Sequence, residues 1–151
     1  MMSETSMARE LRYNLEGPKK GQMEVMIDNL PGIVDGAICC FETGKCYAPM
    51  PTPPVPVINF LAMVPETVSL FIRTILMTLP ASAMQNIKPA PYGGVVEIMP
   101  GDGYSASKIT RIIQDPHGKM IGFLTGLAVD GNRLYMGSLT NDFVGVFDLD
   151  D

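Results

Sequence analysis

Apolar and polar positions divide the chain into two β-rich parts with a helical segment between them. Over residues 7–47, alternating runs are separated by turn sequences, and QMEVMI places Met23, Val25 and Ile27 on one face of a strand. Over residues 93–151, the turn sequences GDG, DPHG, DGN and TND recur at a spacing of roughly 8–12 residues. This pattern predicts antiparallel sheets in both parts.

Residues 48–92 are predicted to form an insertion between these parts. The insertion includes PMPTPPVPV, whose prolines cannot donate ladder hydrogen bonds, so we do not expect a central strand there. The following PETVSLFIRTILMTLP predicts a helix near residues 65–79, which Pro80 ends. Apolar residues at helical spacing form one face of this helix: Val68, Phe71, Ile72, Ile75, Leu76 and Leu79.

The sequence leaves two interpretations of this helix open. In the first, its apolar face packs as a lid or against the core. In the second, the helix lies at a membrane interface with that face among the lipid headgroups. Glu66, Ser69, Arg73 and Thr74 lie largely opposite, and this face is not rich in Lys or Arg, which weakens the second interpretation. The two roles can coexist.

Length, composition and charge narrow the class of protein. The 151 residues suggest one domain, and 46% hydrophobic with only 18% charged residues argues against disorder. The net charge is −5 without a block of Lys or Arg, so a nucleic-acid partner is not expected. No apolar run follows the first charges, and no apolar stretch reaches about 18 residues. We therefore expect neither a secretory signal nor a spanning helix in this chain.

The three cysteines are Cys39, Cys40 and Cys46. Adjacent strand residues point to opposite faces, so at most one of Cys39 and Cys40 readily reaches Cys46 across a hairpin. Free, buried thiols are the preferred interpretation, with one disulfide as the alternative. Three cysteines without a neighbouring histidine make a poor zinc site.

Two further residues could carry chemistry but fit structural roles better. His117 lies inside the turn DPHGK, and no nucleophile is close to it in the sequence, so it is interpreted as a solvated turn residue rather than a general base. Ser138 in MGSL lacks the Gly-x-Ser-x-Gly pattern of an exposed nucleophile and is interpreted as a strand residue.

A set of motifs, taken in order, resembles the strictosidine synthase-like family, and its animal branch in particular. The motifs are RYNLEGPKKGQMEVMIDNLPGIVDG, then GGVVEI, then IIQDPHGKMIGFLTGLAVDGNRLYMGSLTNDFVGVFDL, and the likeness covers roughly residues 4–150. The family's members are six-bladed β-propellers more than twice as long as this chain. The resemblance therefore implies an all-β fold for residues 1–151: the C-terminal blades of a partial propeller, with a helical hydrophobic insertion or lid at about 48–92.

The resemblance also implies positions for two sites. The catalytic Glu of strictosidine synthases matches Leu124, which cannot move a proton, so strictosidine formation is not expected and no catalytic residue is assigned. Related lactonases hold calcium with carboxylate and amide oxygens, and here LPGIVDGAI keeps Asp35 but has Gly36 in place of Asn. Asp35 is the one candidate metal ligand, and a role in a turn beside Gly36 is the alternative. Further ligands would come from blades outside this chain.

Two functions follow from the resemblance. The first is the C-terminal part of a calcium-dependent, arylesterase-type hydrolase that acts, in its full-length form, on a small ester or lactone. The alternative is a non-catalytic propeller fragment that associates with a membrane or a protein. The resemblance implies a location at the plasma membrane or an endomembrane. We also expect peripheral membrane contact through residues 65–79, and self-association through exposed sheet faces and edges.

Overall fold

A computed structural model of the protein describes part of the chain: residues 1–40, 43–53, 60, 63–80, 90–101 and 106–150. The side chains of Ser6, Glu66, Leu76 and Met77 lie outside this description. In chain order, the elements are β1 (Met2–Glu4), a 3-10 turn (Thr5–Met7), β2 (Arg9–Tyr13), β3 (Met23–Ile27), β4 (Ile38–Cys39), β5 (Cys46–Met50), α1 (Glu66–Thr78), β6 (Gly93–Met99), β7 (Lys108–Asp115), β8 (Leu124–Asp130), β9 (Arg133–Ser138) and β10 (Gly145–Asp148). The predicted helix near 65–79 is confirmed.

The strands form three antiparallel sheets. The first sheet has the order β1-β2-β3, the second β4-β5-β6-β7, and the third β10-β9-β8. The predicted all-β character is confirmed, and among the described residues no sheet closes on itself. The propeller arrangement stays a prediction.

The second sheet lies between the other two, and β5 and β6 therefore bury side chains on both of its faces. On one face, Cys46, Ala48 and Val96 join a core cluster with Met26 of the first sheet. The opposite face of the second sheet contributes to a separate cluster, which contains Tyr47, Val95, Ile121, Leu124, Leu134 and Met136. Each neighbouring sheet therefore has its own hydrophobic interface with the second sheet.

Strand β3 turns a different face inward from the one its alternation predicted. Met26 is buried, whereas Met23 is exposed and Val25 and Ile27 are only half-buried. Both faces of β3 carry apolar side chains, so the period of two alone does not determine which face meets the core.

The expectation that the proline-rich segment stays out of a central strand is wrong at its start. Pro49 lies in β5 and is paired with Val95 of β6. On the other side of Pro49 lie residues that precede β4, and the Pro49 carbonyl accepts a hydrogen bond from the backbone N–H of Asp35 (3.0 Å). Proline is tolerated here because its missing N–H faces a loop and leaves no ladder bond unmade.

The preferred interpretation of three free thiols is also wrong. Cys39 and Cys46 face each other directly in the register of β4 and β5 and form a disulfide. Cys40 is half-buried, lies outside the disulfide, and packs against the cluster between the second and third sheets. The register decides the pairing, because it places the Cys39 side chain, and not that of Cys40, opposite Cys46.

Candidate functional site

Helix α1 carries apolar side chains that face away from the protein. Val68, Phe71 and Ile75 of α1 and Leu79 directly after it, at positions i, i+3, i+7 and i+11, follow one helical face and are between 41% and 67% exposed. We call these four residues the outer stripe. Leu70, which lies away from this stripe around the helix, is also exposed. The outer stripe contains most of the apolar face that the sequence predicted.

α1 does not bury its apolar face as a helix packed on a core does: among the described side chains of that face only Ile72 is half-buried, and Thr74 on the polar side is exposed. Ser69, from the polar side of the helix, is 7% exposed, and Arg73 is half-buried. None of the described strands packs extensively against α1. A core helix normally buries its apolar stripe and exposes its polar residues. The lid or core interpretation is therefore not supported for the outer stripe.

Two hydroxyl groups on α1 have hydrogen-bond partners within the helix itself. The Thr74 hydroxyl donates to the carbonyl of Leu70 (2.9 Å), and the Thr78 hydroxyl donates to the carbonyl of Ile75 (2.7 Å). Exposed threonines that bond to their own backbone depend less on water than unpaired ones. These contacts allow the helix surface to leave water at little polar cost.

A buried carboxylate with two cationic partners lies on the second sheet. The Glu97 side chain, in β6, is 3% exposed; Lys45 Nζ lies 3.0 Å from Oε1 and Arg111 Nη2 lies 3.3 Å from Oε2. The hydroxyl of Thr110 donates to Oε1 (2.6 Å). Burial alone raises the pKa of Glu97, but the hydrogen bonds from Thr110 and Lys45 and the charges of Lys45 and Arg111 together hold it below its usual value.

Arg111 connects this carboxylate to the third sheet. Its Nη2 also donates to the carbonyl of Leu149 (3.1 Å), and its guanidinium lies 5.5 Å from the centre of the Phe147 ring. Burial, followed by the charge of Glu97, raises the pKa of the neighbouring Tyr47 to about 12. Every group in this cluster has a partner, so the cluster is best explained as a structural link between two sheets.

A second buried carboxylate, Glu10 in β2, is only half satisfied. Its Oε1 accepts a hydrogen bond from the hydroxyl of Ser3 (2.8 Å), and its Oε2 is buried with no hydrogen-bond partner among the described residues. Burial raises the pKa of Glu10 to about 7. Glu10 therefore changes charge near neutral pH in surroundings that give its carboxylate little solvation.

The structure does not bring the predicted site residues together. Asp35 is exposed in the loop before β4, beside Gly36, whose φ is +58°. Leu124 is 1% exposed and belongs to the cluster between the second and third sheets. Across the residues that the structure describes, no group of three or more His, Cys, Asp or Glu side chains is placed to hold a metal ion. Calcium at Asp35 stays a prediction.

His117 and Ser138 occupy the structural positions that the sequence indicated. His117 is exposed in the turn after β7, where its backbone N–H donates to Asp115 Oδ1 (3.3 Å). Ser138 ends β9, donates to the carbonyl of Gly122, and accepts hydrogen bonds from the N–H groups of Thr140 and Asn141 (3.1 Å each). The hydroxyl of Ser138 is therefore engaged in holding a loop.

Comparison with known proteins finds relatives that share one name. Adipocyte plasma membrane-associated protein from Salmo salar is 26% identical over 99% of this chain, the protein from Danio rerio is 27% identical over 99%, and that from Gallus gallus is 25% identical over 95%. The chain is similar to adipocyte plasma membrane-associated protein. The predicted resemblance is thereby confirmed, and the chain spans about a third of the length of these relatives. No protein-family model and no solved structure matches the chain.

Sequence reasoning missed both buried carboxylates. Glu97 is the one charge in the apolar run GGVVEIM, and a lone charge inside a two-sided apolar strand is a signal of a buried ion pair. Glu10 is one of several charges in ARELRYN, so its sequence context gives no such signal. The name of the relatives refers to a membrane, and the outer stripe, rather than either carboxylate, is a candidate for contact with one.

Among the described residues, no helix combines the length and the apolar character needed to cross a bilayer.

Proposed function

We propose that this chain is a peripheral membrane-associating module and that the outer stripe of α1 is its contact with the lipid. The observation that supports this most strongly is the orientation of α1, which exposes the outer stripe and buries Ser69. The relatives named plasma membrane-associated proteins give independent support. The Thr78 hydroxyl, which lies near Phe71 on the helix surface and is bonded to the carbonyl of Ile75, reduces the cost of removing this side of the helix from water.

The length of α1 fits a helix that lies in the plane of the interface. Its 13 residues extend over about 20 Å. The apolar interior of a bilayer is about 30 Å thick, so a helix of this length does not cross it. An interfacial helix buries its apolar face to a depth of roughly 5–10 Å, which is enough to cover side chains such as Phe71 and Ile75.

The size of the exposed surface sets the strength of binding. The exposed fractions of the four outer-stripe side chains amount to about two full side chains. Complete burial of a large apolar side chain contributes roughly 1.5–3 kcal/mol, so transfer of the outer stripe contributes roughly 3–6 kcal/mol. This is sufficient for reversible binding to a membrane surface, and the same surface drives self-association in the absence of lipid.

Sedimentation with phosphatidylcholine vesicles tests this proposal. We expect the wild-type chain to pellet with vesicles and the double variant Phe71→Asp/Ile75→Asp to stay in the supernatant, because two charges in the outer stripe oppose its transfer. Leu139→Asp is the matched control, because Leu139 is equally apolar and exposed but lies outside α1. Equal binding by the wild type and the double variant would refute the role of the outer stripe. The double variant should also self-associate less than the wild type.

A second proposal concerns the longer protein of which this chain resembles one third. We propose that it is a calcium-dependent hydrolase of the arylesterase type, with Asp35 as a calcium ligand. The exposed carboxylate of Asp35 and the backbone bond that fixes its loop to Pro49 support this role. Phenyl acetate hydrolysis by the purified longer protein, measured with and without calcium, tests this proposal. Activity that calcium does not change, or that Asp35→Asn keeps in full, would contradict it.

A further inference from the structure

Within the part of the hairpin that the structure describes, β4 is paired with β5 over two residues and is cross-linked to it by the disulfide. β4 has two residues, and its register pairs are Ile38 with Tyr47 and Cys39 with Cys46. In the connection, the Cys40 N–H donates to the carbonyl of Lys45 (2.8 Å) and the Gly44 N–H donates to the carbonyl of Cys40 (3.0 Å). Backbone pairing over two residues contributes little to holding β4, so its attachment to the edge of the second sheet depends on the disulfide and on the packing of Ile38 and Cys40 against the cluster that contains Tyr47.

The two cysteines of the disulfide differ in their exposure to solvent. Cys39 is exposed, and its Sγ lies 3.9 Å from Met1 Sδ, whereas Cys46 is 1% exposed and belongs to the core cluster between the first and second sheets. A thiolate must reach a sulfur directly in order to displace its partner, so we expect an external thiol to attack Cys39 rather than Cys46. Exposed disulfides are in general the ones that exchange readily.

We propose that this disulfide is a thiol-exchange site that releases β4. The thiolate of a small-molecule thiol attacks Cys39 Sγ; a new sulfur–sulfur bond forms there, the Cys39–Cys46 bond breaks, and its electron pair leaves on Cys46 Sγ, which takes up a proton from water. A second molecule of the same thiol displaces the first, which leaves two protein thiols and one oxidised small-molecule disulfide. A thiolate in the apolar surroundings of Cys46 is unfavourable, so the release of Cys46 is coupled to the separation of β4 from β5.

Opening this hairpin changes the surface of the second sheet. Lys45, next to Cys46, is one of the two cationic partners of Glu97, and Ile38 and Cys40 pack against the cluster that contains Tyr47. When β4 leaves, the free edge of β5 and the Lys45 side of Glu97 become accessible. Arg111 still holds Glu97 to the third sheet, so the change is confined to this edge.

Limited digestion with trypsin, together with intact-mass measurement, tests the exchange. When the reaction with reduced glutathione is stopped early with acid, we expect part of the protein to carry one glutathione at Cys39. At later times we expect this mass to be replaced by a gain of two hydrogens, and we expect cleavage after Lys45 to accelerate. Cross-linking a loop this short shifts an opening equilibrium roughly tenfold to a hundredfold, which is the expected acceleration. Cleavage after Arg133, in the third sheet, is the internal control and should keep its rate.

Two variants complete the experiment. Cys40→Ser keeps the disulfide and should respond to glutathione as the wild type does. Cys39→Ser/Cys46→Ser should be cleaved rapidly after Lys45 without glutathione and should not respond to it. Three results would each overturn the proposal: neither a glutathione adduct nor a mass gain of two hydrogens, no change in cleavage after Lys45, or equal acceleration after Lys45 and Arg133. The last result would show that the disulfide stabilises the whole fold instead of holding one strand.

Discussion

Glu10→Gln isolates the energetic consequence of burying a carboxylate in the first sheet. The amide has nearly the same shape and keeps an oxygen that accepts the hydroxyl hydrogen bond of Ser3, but it does not ionise. The folded state raises the pKa of Glu10 from 4.5 to about 7. Because the folded pKa is the higher one, Glu10 contributes stability below pH 4.5 and loses it as the pH rises to 7.

The size of this effect follows from the shift in pKa. Linkage predicts that the wild type loses about 2.5 kcal/mol in free energy of unfolding between pH 5 and pH 8, and residual solvation of Glu10 makes this an upper figure. The variant lacks this loss, so we expect it to be more stable than the wild type at pH 8 by up to about 2–3 kcal/mol. The neutral amide also leaves one buried polar group without a partner, as the wild type does.

Urea unfolding at pH 5 and pH 8, followed by far-UV circular dichroism at a constant detergent concentration, measures the difference in free energy of unfolding between the wild type and Glu10→Gln. Glu24→Gln is the control, because Glu24 is bonded to Lys19 and its pKa is lowered, so it stays ionised over this range. The control should show the same pH dependence as the wild type. An equal loss of stability in Glu10→Gln and the wild type would refute the assignment of the pH dependence to Glu10.

Three other substitutions test the remaining buried contacts. Glu97→Gln removes the charge that pairs with Lys45 and Arg111, and we expect a loss of about 2 kcal/mol in the same urea assay, because these cations are partly exposed and regain some hydration; unchanged stability would contradict the buried ion network. Leu124→Glu places an unpaired carboxylate at a position that is 1% exposed, so we expect strong destabilisation and no gain of strictosidine formation. Strictosidine formed by the wild-type chain would show that the catalytic position does not match Leu124. Ser138→Ala removes three hydrogen bonds and should lower the unfolding free energy by about 1–3 kcal/mol, and a stability equal to the wild type would show that this loop is held by other contacts.

The positions of the main strands and of α1 could be predicted because each depends on a local pattern. The apolar run of β6 and the helical spacing of the outer stripe are visible in the sequence. The direction in which α1 turns its apolar face depends on what packs beside it, and the sequence period contains no information on that. The burial of Ser69 could therefore not be foreseen.

The errors in the predicted contacts have the same origin. The rule of opposite faces shows that either Cys39 or Cys40 meets Cys46, but only the register of β4 and β5 determines which. Pro49 fits in β5 because the two-residue strand β4 does not extend to the position opposite it. The length of β4 is set by tertiary contacts and not by the local sequence. Glu10 is buried through the packing of the first sheet and is not distinguished by its neighbours in the sequence. Local sequence patterns determine where the strands and the helix lie, whereas contacts between these elements determine which side chains are paired, buried or shifted in pKa.

The insertion leaves the second sheet and returns to it at adjacent points, because Met50 of β5 is paired with Gly94 of β6. The absence of side chains at Gly93 and Gly94 allows close contacts at this root: a Cβ at Gly93 would lie 2.2 Å from the carbonyl oxygen of Ile121, and one at Gly94 would lie 3.0 Å from Cε of Met50. A two-residue turn can join two paired antiparallel ends. The pairing of β5 with β6 therefore does not fix the length of the segment that joins them. In evolutionary terms, the middle of this segment can be lengthened or shortened while its two ends, Thr52 bridged to Ile33 and the buried Tyr92, stay in place.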